Sequence, residues 1–511
     1  MFRLFILIFL NTSILLSLPA VGWVEIAGYS SRDRQIFGPS LSRIYNDTLW
    51  GIHIAWKDEP SRALYNFKPR QSSNFKWSNG INVFAERVNF GNLFISPRNR
   101  CAYLVGNYFD NNQYVPVYAG DSAPGQGNFR QYVQIPNYKW SVMTVSNYGD
   151  LRFVCQKEDT LYYCSQYFER RRFGFFGQFP THNIIASRDT SRIAIIWTAT
   201  IPPREGVMFV RESRNNGYFW LDTVAVSRNI PSELKNTFLG GHCIYDFNRK
   251  VHIVANTYDG NNLYRVELWH CLKDSPPVWS RICTVATEHQ VPVGDYALYA
   301  GRPSIGQNLQ NSDLFVCWEQ FDSENYEPLT GLARAEIWAS RSTDNGFTWG
   351  EPIRLTVPDN TSKRFPSLAP IVNDTLHITY MIDSIAGFWE LGQGPKTTNP
   401  IIYHRVLANS IPVGIELEVY PSSALGSFSV YPNPFTKKII FRIPNLKVQQ
   451  SILRIYDLTG KLVFNHFIPI TENSFVWEGL DNSNMIVKPG VYFCELINGE
   501  KRDIKKLLFV R

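Results

Sequence analysis

Ser342-Thr343-Asp344-Asn345-Gly346-Phe347-Thr348-Trp349 stands one residue after the alternating segment Ile337-Trp338-Ala339-Ser340. The stretch predicts a hairpin in which the Asp344 side chain bonds turn amides, Gly346 takes positive φ and Trp349 packs inward. Ser342, Asp344, Gly346, Thr348 and Trp349 are therefore read as structural residues of a turn. Weaker copies stand at Ser213-Arg214-Asn215-Asn216-Gly217-Tyr218-Phe219-Trp220 and at Asp274 with Trp279.

Around this stretch a unit of about 40 to 65 residues recurs seven times, a period typical of propellers and solenoids. Each unit is anchored by a polar turn before a strand. The anchors are Asn46-Asp47 before His53 to Trp56, Asn99-Arg100 before Tyr103 to Gly106, Gly149-Asp150 before Arg152 to Cys155, and Asp189-Thr190 before Ala194 to Trp197. Asn248-Arg249 before His252 to Ala255, Asn311-Ser312-Asp313 before Phe315 to Trp318, and Asn373-Asp374 before His377 to Tyr380 complete the set. Asn, Asp and Gly tolerate the backbone of tight hairpins, so each pair marks a turn between strands. Four units open with Pro and a hydroxyl residue, at Pro39-Ser40, Pro180-Thr181, Pro303-Ser304 and Pro366-Ser367. Proline at the start of a strand costs no ladder bond.

A third strand and a Trp-led fourth complete the unit, and four strands make a propeller blade. The last unit ends near Leu407 without its fourth strand. Trp23 to Tyr29 is expected to supply it and so remove an open sheet edge. The fold class is all-β: a β-propeller of seven blades, with six or eight as alternatives, followed by a small immunoglobulin-like β-sandwich. The expected boundaries are 1–22 for a signal peptide, 23–407 for the propeller, 408–427 for a linker and 428–511 for the last domain.

The S-x-D-x-G-x-T-W pattern of residues 342–349 resembles the Asp box, or BNR repeat, of sialidase-like propellers, and the resemblance covers residues 23 to 407. It implies that Asp344 lies on the face opposite an active site. The family's chemistry requires an arginine triad, a Tyr-Glu nucleophile pair and an Asp acid/base, flagged by Phe/Tyr-Arg-Ile-Pro near the first blade. Here Phe441-Arg442-Ile443-Pro444 falls beyond the propeller and is read as a chance match. At the corresponding N-terminal position, Ile36-Phe37-Gly38-Pro39 has no arginine.

Candidate ligand residues are accordingly drawn from the repeat itself. Arg302 and Arg364 each precede an innermost strand and suit a carboxylate. Two long loops, Glu319 to Ala335 and Asp383 to Asn399, carry Glu319, Asp322, Tyr326, Asp383 and Trp389, acids beside aromatics that suit a sugar. No catalytic residue is assigned. His53, His252 and His377 share one column of three different units, which makes them strand residues rather than metal ligands, and neither a metal nor a cofactor is expected. Among the 8 cysteines, two pairs, Cys155 with Cys164 and Cys271 with Cys283, flank hairpins and are read either as bridges or as buried thiols.

From Phe428 the composition changes. Val430-Tyr431-Pro432-Asn433-Pro434-Phe435, Leu453 to Val463 with its Asp457-Leu458-Thr459-Gly460 turn, Trp477 to Asp481, Gly490 to Phe493 and the basic close Lys505 to Arg511 follow in order. Together they resemble the C-terminal sorting domain of type IX secretion, which implies the type IX machinery as a partner and a secreted or cell-surface location. The net charge is +7, but residues 428–511 hold 12 Lys+Arg against 7 Asp+Glu, so the body is near neutral and nucleic acid is not an expected partner. Met1 to Gly22, with Arg3 and an apolar run, reads as a signal peptide, and no later segment is long enough to span a bilayer. The residues favour a propeller that binds carbohydrate or protein on one face over a diverged sialidase-type hydrolase or a structural surface-layer component.

Overall fold

The computed structural model describes residues 21–413 and 429–510, apart from 36–40, 111, 134–137, 167–169, 176–180, 202–203, 235, 239, 261, 275, 434, 443–450, 459, 470–473 and 499–500. Residues 1–20 of the expected signal peptide, Ile36 to Ser40, Pro180 and most of the expected linker lie outside the described residues. The chain divides into two compact units, Met1–Gly414 and Ile415–Arg511.

Short runs of β-branched and aromatic residues between polar turns give the first unit seven separate sheets among the described residues. Numbered in chain order, their first strands are Ile44–Asp47, Val88–Ile95, Lys139–Val145, His182–Ala186, Gly241–Tyr245, Ala300–Asn308 and Ser362–Leu368. Each touches the next, and Ser362–Leu368 returns to Ile44–Asp47, which closes a ring. The seven anchor turns all lead into second strands, from Gly51–Asp58 in sheet 1 to Thr375–Asp383 in sheet 7. Trp23–Ser30 supplies the outer strand of sheet 7, pairing antiparallel with Asn399–Leu407 from Trp23 opposite Arg405 to Ser30 opposite Asn399.

The recurrent hydroxyl at the start of a first strand has a specific task. An innermost strand has amides on its channel edge with no strand to pair with, and buried amides must be satisfied. Ser304 Oγ accepts from Leu368 N of the next sheet at 2.9 Å, and Ser367 Oγ accepts from Arg43 N at 3.1 Å across the ring closure. Asn92, Thr144 and His242 do the same for Met143, Ala186 and Ile305. Backbone carbonyl Ser42 takes Leu93 N at 2.9 Å.

Sheet 4 departs from the expected four strands. Its outer place holds only a bridge, Val210 to Val224, and the 3₁₀ turn Val226–Asn229, because Ser227 Oγ takes the Met208 amide that a fourth strand would bind. Of the two readings of the cysteine pairs, the structure has free thiols. Cys271 opposes Trp279 while Cys283 opposes Leu268, too far apart in register for a bond. Cys155 opposes Tyr162 and Cys164 opposes Phe153, and no disulfide forms among the described cysteines.

At 342–349, Asp344 Oδ1 accepts from Ser342 Oγ at 2.8 Å and Thr348 N at 2.9 Å, while Ser342 Oγ takes Gly346 N at 2.8 Å. In the copy at 213–220, Asn215 replaces Asp with the same bonds to Ser213 and Phe219. Both turns reach the preceding sheet: Tyr163 OH donates to Asn216 O, and His270 Nδ1 lies 3.0 Å from Gly346 O. Behind His270 stand His252 at 2.8 Å and Asp246 at 3.2 Å from His252. Hydrogen bonds to Tyr65 and Tyr403 likewise hold His53 and His377; His53 and His252 are buried inside their sheets and His377 is half-buried.

The second unit has two sheets, Ser429–Tyr431, Ile439–Arg442 and Ser474–Trp477 in one, and Leu462–Ile468, Ser451–Asp457, Gly490–Asn498 and Lys501–Phe509 in the other. Phe441, Leu453, Trp477, Tyr492 and Phe509 build their shared core. Phe441 of the Phe-Arg-Ile-Pro string is thus a core residue here.

A Cβ at Gly346, where φ is 87°, falls 2.2 Å from the His270 ring. Gly346→Ala is expected to lower stability by about 1–3 kcal/mol, read by chemical denaturation. Gly331→Ala, at φ 70° with open space around it, is the matched control and should cost less.

Candidate functional site

Within each sheet the strands alternate in direction, so the starts of first strands and the loops between second and third strands share one face, the upper one. In sheets 6 and 7 the first strand is bulged there, between Gly301 and Ser304 and between Arg364 and Ser367. Arg302 at φ 51° and Phe365 at φ 58° stand directly before Pro303 and Pro366, where helical backbone is disfavoured, so both bulges carry strain. Their effect is to bring Arg302 and Arg364 onto one carboxylate, Glu319.

Glu319 is fully buried. Its Oε1 accepts from Arg302, and its Oε2 accepts from Arg364 Nε at 3.2 Å and Phe365 N at 2.8 Å. A third guanidinium, from Arg43, donates to Phe365 O. The ring of Phe365 lies under both other arginines, 4.8 Å from Arg302 and 5.0 Å from Arg364, and Phe321 and Phe388 also flank Arg364. Burial alone would raise the Glu319 carboxyl. The charges of Arg302 and Arg364 and the Phe365 amide outweigh it and hold the group at about 2. Burial lowers Arg43 to about 9 and also lowers Arg302.

The two arginines thus meet as the repeat implied, but behind the surface, at 3% and 2% exposure. Glu319 corrects the sequence reading. It belongs to no loop, because the second strand of sheet 6 runs on through Leu314–Tyr326 and the third begins at Ala333. Phe321 and Asp322 stay in register with Ala335 and Arg334, which keeps Glu319 on the inward side. Asp383 is buried at the end of its strand, accepting from Asn399 Nδ2 at 3.1 Å, and burial followed by Asp33 raises its carboxyl well above the ordinary range. Trp389 opens a 3₁₀ turn, Trp389–Leu391, with its amide on Asp33 and Lys396 4.8 Å over its ring.

Asp322 and Tyr326 instead line two clefts on either side of the sheet 6 loop. One, of about 570 Å³, is bounded by Glu324, Asn325, Tyr326, Arg334, Asn360 and Ser384. The other, of about 260 Å³, is bounded by Tyr299, Asp322, Glu336, Trp338 and Arg354. Glu336 went unnoticed in the sequence: burial raises its carboxyl to about 7, although Lys363 Nζ lies 3.1 Å away. Arg43 was missed as well, since no proline follows it to mark its column.

Residues 429–510 match the family described as "Secretion system C-terminal sorting domain". The C-terminal unit carries a sorting domain. That indicates secretion or cell-surface attachment through a type IX system, with its machinery as partner. No helix among the described residues is long and apolar enough to cross a membrane. No curated protein matches the chain. Among solved structures, polysaccharide lyase Uly1 is similar at 11% identity and TM-score 0.42, covering 76% of this chain and 98% of that one. A catalytically inactive virginiamycin B lyase from Staphylococcus aureus stands at 12% and 0.43, covering 75% and 99%. The intramolecular trans-sialidase from Ruminococcus gnavus stands at 9% and 0.38, covering 77% and 98%. Likeness at this level says nothing about chemistry.

Because the folded Glu319 carboxyl lies at about 2, below the roughly 4.3 of an unfolded chain, it stabilises the fold above pH 4.3 and that contribution fades between pH 4.3 and 2. Glu319→Gln is expected to cost about 3 kcal/mol at pH 7, with the gap from the parent protein closing as pH falls through this window. Urea unfolding at pH 7, 4 and 2.5 measures it.

Proposed function

We propose that the chain is an exported seven-bladed propeller of sialidase-like repeats that binds carbohydrate on its upper face, and that the turns at 342–349 and 213–220 are its Asp boxes. The observation that carries the binding reading is the cleft at Tyr326. The ring is 52% exposed on the wall of an open space of about 570 Å³, with Glu324, Asn325, Asn360 and Ser384 around it. A pyranose offers a C–H face to an aromatic ring and hydroxyls to amides and carboxylates at its edge, and this wall has both. Arg302 and Arg364, which a sialidase-type hydrolase would turn toward its substrate's carboxylate, are bonded to Glu319 instead. Binding therefore accounts for the residues better than hydrolysis does.

The test is a glycan array followed by calorimetry on the full mature chain. Tyr326→Ala should weaken binding about tenfold, the equivalent of roughly 1.4 kcal/mol, without moving the melting temperature. Aryl glycosides, a sialoside among them, should not turn over. Hydrolysis of any of them, or glycan binding indifferent to Tyr326, would sink the reading. Deleting residues 429–510 should leave the propeller in the periplasm, which cell fractionation detects.

A further inference from the structure

On the lower face, opposite the clefts, the ends of all seven first strands surround the mouth of the channel. A cavity of about 50 Å³ lies there, lined by residues of the first six sheets, among them Tyr45, Phe94, Val145, Ile185, Ile244, Gln307 and Ile371. Its polar groups are unequal in number and sign. Arg100 lies 3.8 Å from Asp47, but Arg188 makes no hydrogen bond or ion pair among the described residues. Its side chain is exposed, with Tyr45 and Asp47 the charges that favour it and Arg100 one that opposes it. Gln307 is 1% exposed; its Oε1 accepts Phe247 N at 3.0 Å, while its Nε2 is buried with no acceptor. Asp47 Oδ1 takes the amides of Leu49 and Trp50, and its Oδ2 is buried with no donor.

One buried donor without an acceptor and one buried acceptor without a donor line the same small space, whose walls are largely aliphatic, and the exposed Arg188 also lines it. Buried polar groups left this way cost about 1–3 kcal/mol each, so a ligand that completes them all gains accordingly. We propose that the lower mouth binds a small carboxylate that carries a hydroxyl or ammonium donor: the carboxylate on Arg188 and the Gln307 amide, the donor on Asp47, and the short carbon body against Ile185, Ile244 and Ile371. Planar guanidinium suits the carboxylate bidentately. This site is independent of the clefts above, on the other side of the ring.

Calorimetric titration of the full mature chain with lactate, alanine and propionate, at fixed ionic strength in chloride, tests it. Lactate or alanine should bind at least tenfold more tightly than propionate, which lacks a donor for Asp47. Arg188→Met should abolish that binding and leave the melting temperature unchanged, since the side chain bonds nothing in the fold. Tyr326→Ala should leave it intact. No heat with lactate or alanine, equal affinity for propionate, or binding that survives Arg188→Met would overturn the proposal.

Discussion

A strand on the inner wall of a ring of sheets has no neighbour on its channel side, and its amides must be bonded by something other than a ladder. Here the preceding sheet does it, through Ser304, Ser367, Thr144, Asn92 and His242. Each bond fixes the height of one first strand against the next. That height in turn sets which residues meet above and below. Ser367 Oγ on the Arg43 amide is the case that matters most for the upper site, since it seats Arg43 beside the Phe365 carbonyl that its own guanidinium then binds. The Trp23–Ser30 strand completes the same constraint on the outer side, where sheet 7 would otherwise end in an open edge.

The cluster around Glu319 shows how this scaffold handles charge. Three guanidiniums and one carboxylate are buried together, and the aromatic faces of Phe321, Phe365 and Phe388 line the remainder. The strain at Arg302 and Phe365 is held by Glu319 acting on both bulges at once. An arrangement that spends its arginines on an internal acid rigidifies the junction of sheets 6 and 7. It leaves recognition to the groups standing around it, in clefts whose walls come from the same two sheets.

Much of this was legible in the sequence because it depends on local chemistry. Asn, Asp and Gly pairs placed the seven turns, and a missing fourth strand after Ile401 to His404 pointed to Trp23 to Tyr29 as its replacement. Arg302 and Arg364 were legible through their prolines. Glu319 was found but set on a loop, because its acidic run, Glu319 to Glu327, looks like solvent-facing sequence; a bulge between Asp322 and Tyr326 lets the strand continue past it. Arg43 and Glu336 were not legible at all. Their partners, Phe365 and Lys363, come from other sheets, and no spacing within one strand announces a contact made across the ring.

The turn at Gly346 does more than close its own hairpin. Its carbonyl is gripped by His270 and Ser280 of sheet 5, just as Asn216 of sheet 4 is gripped by Tyr163 of sheet 3. Linear repeat arrays unravel from their ends, one unit at a time. A ring has no end, and these clasps deny it a weak joint, so fraying has nowhere to start. For a protein that is secreted or attached to the cell surface, survival under proteolysis is governed by the rate of opening as a whole rather than by the strength of any single sheet.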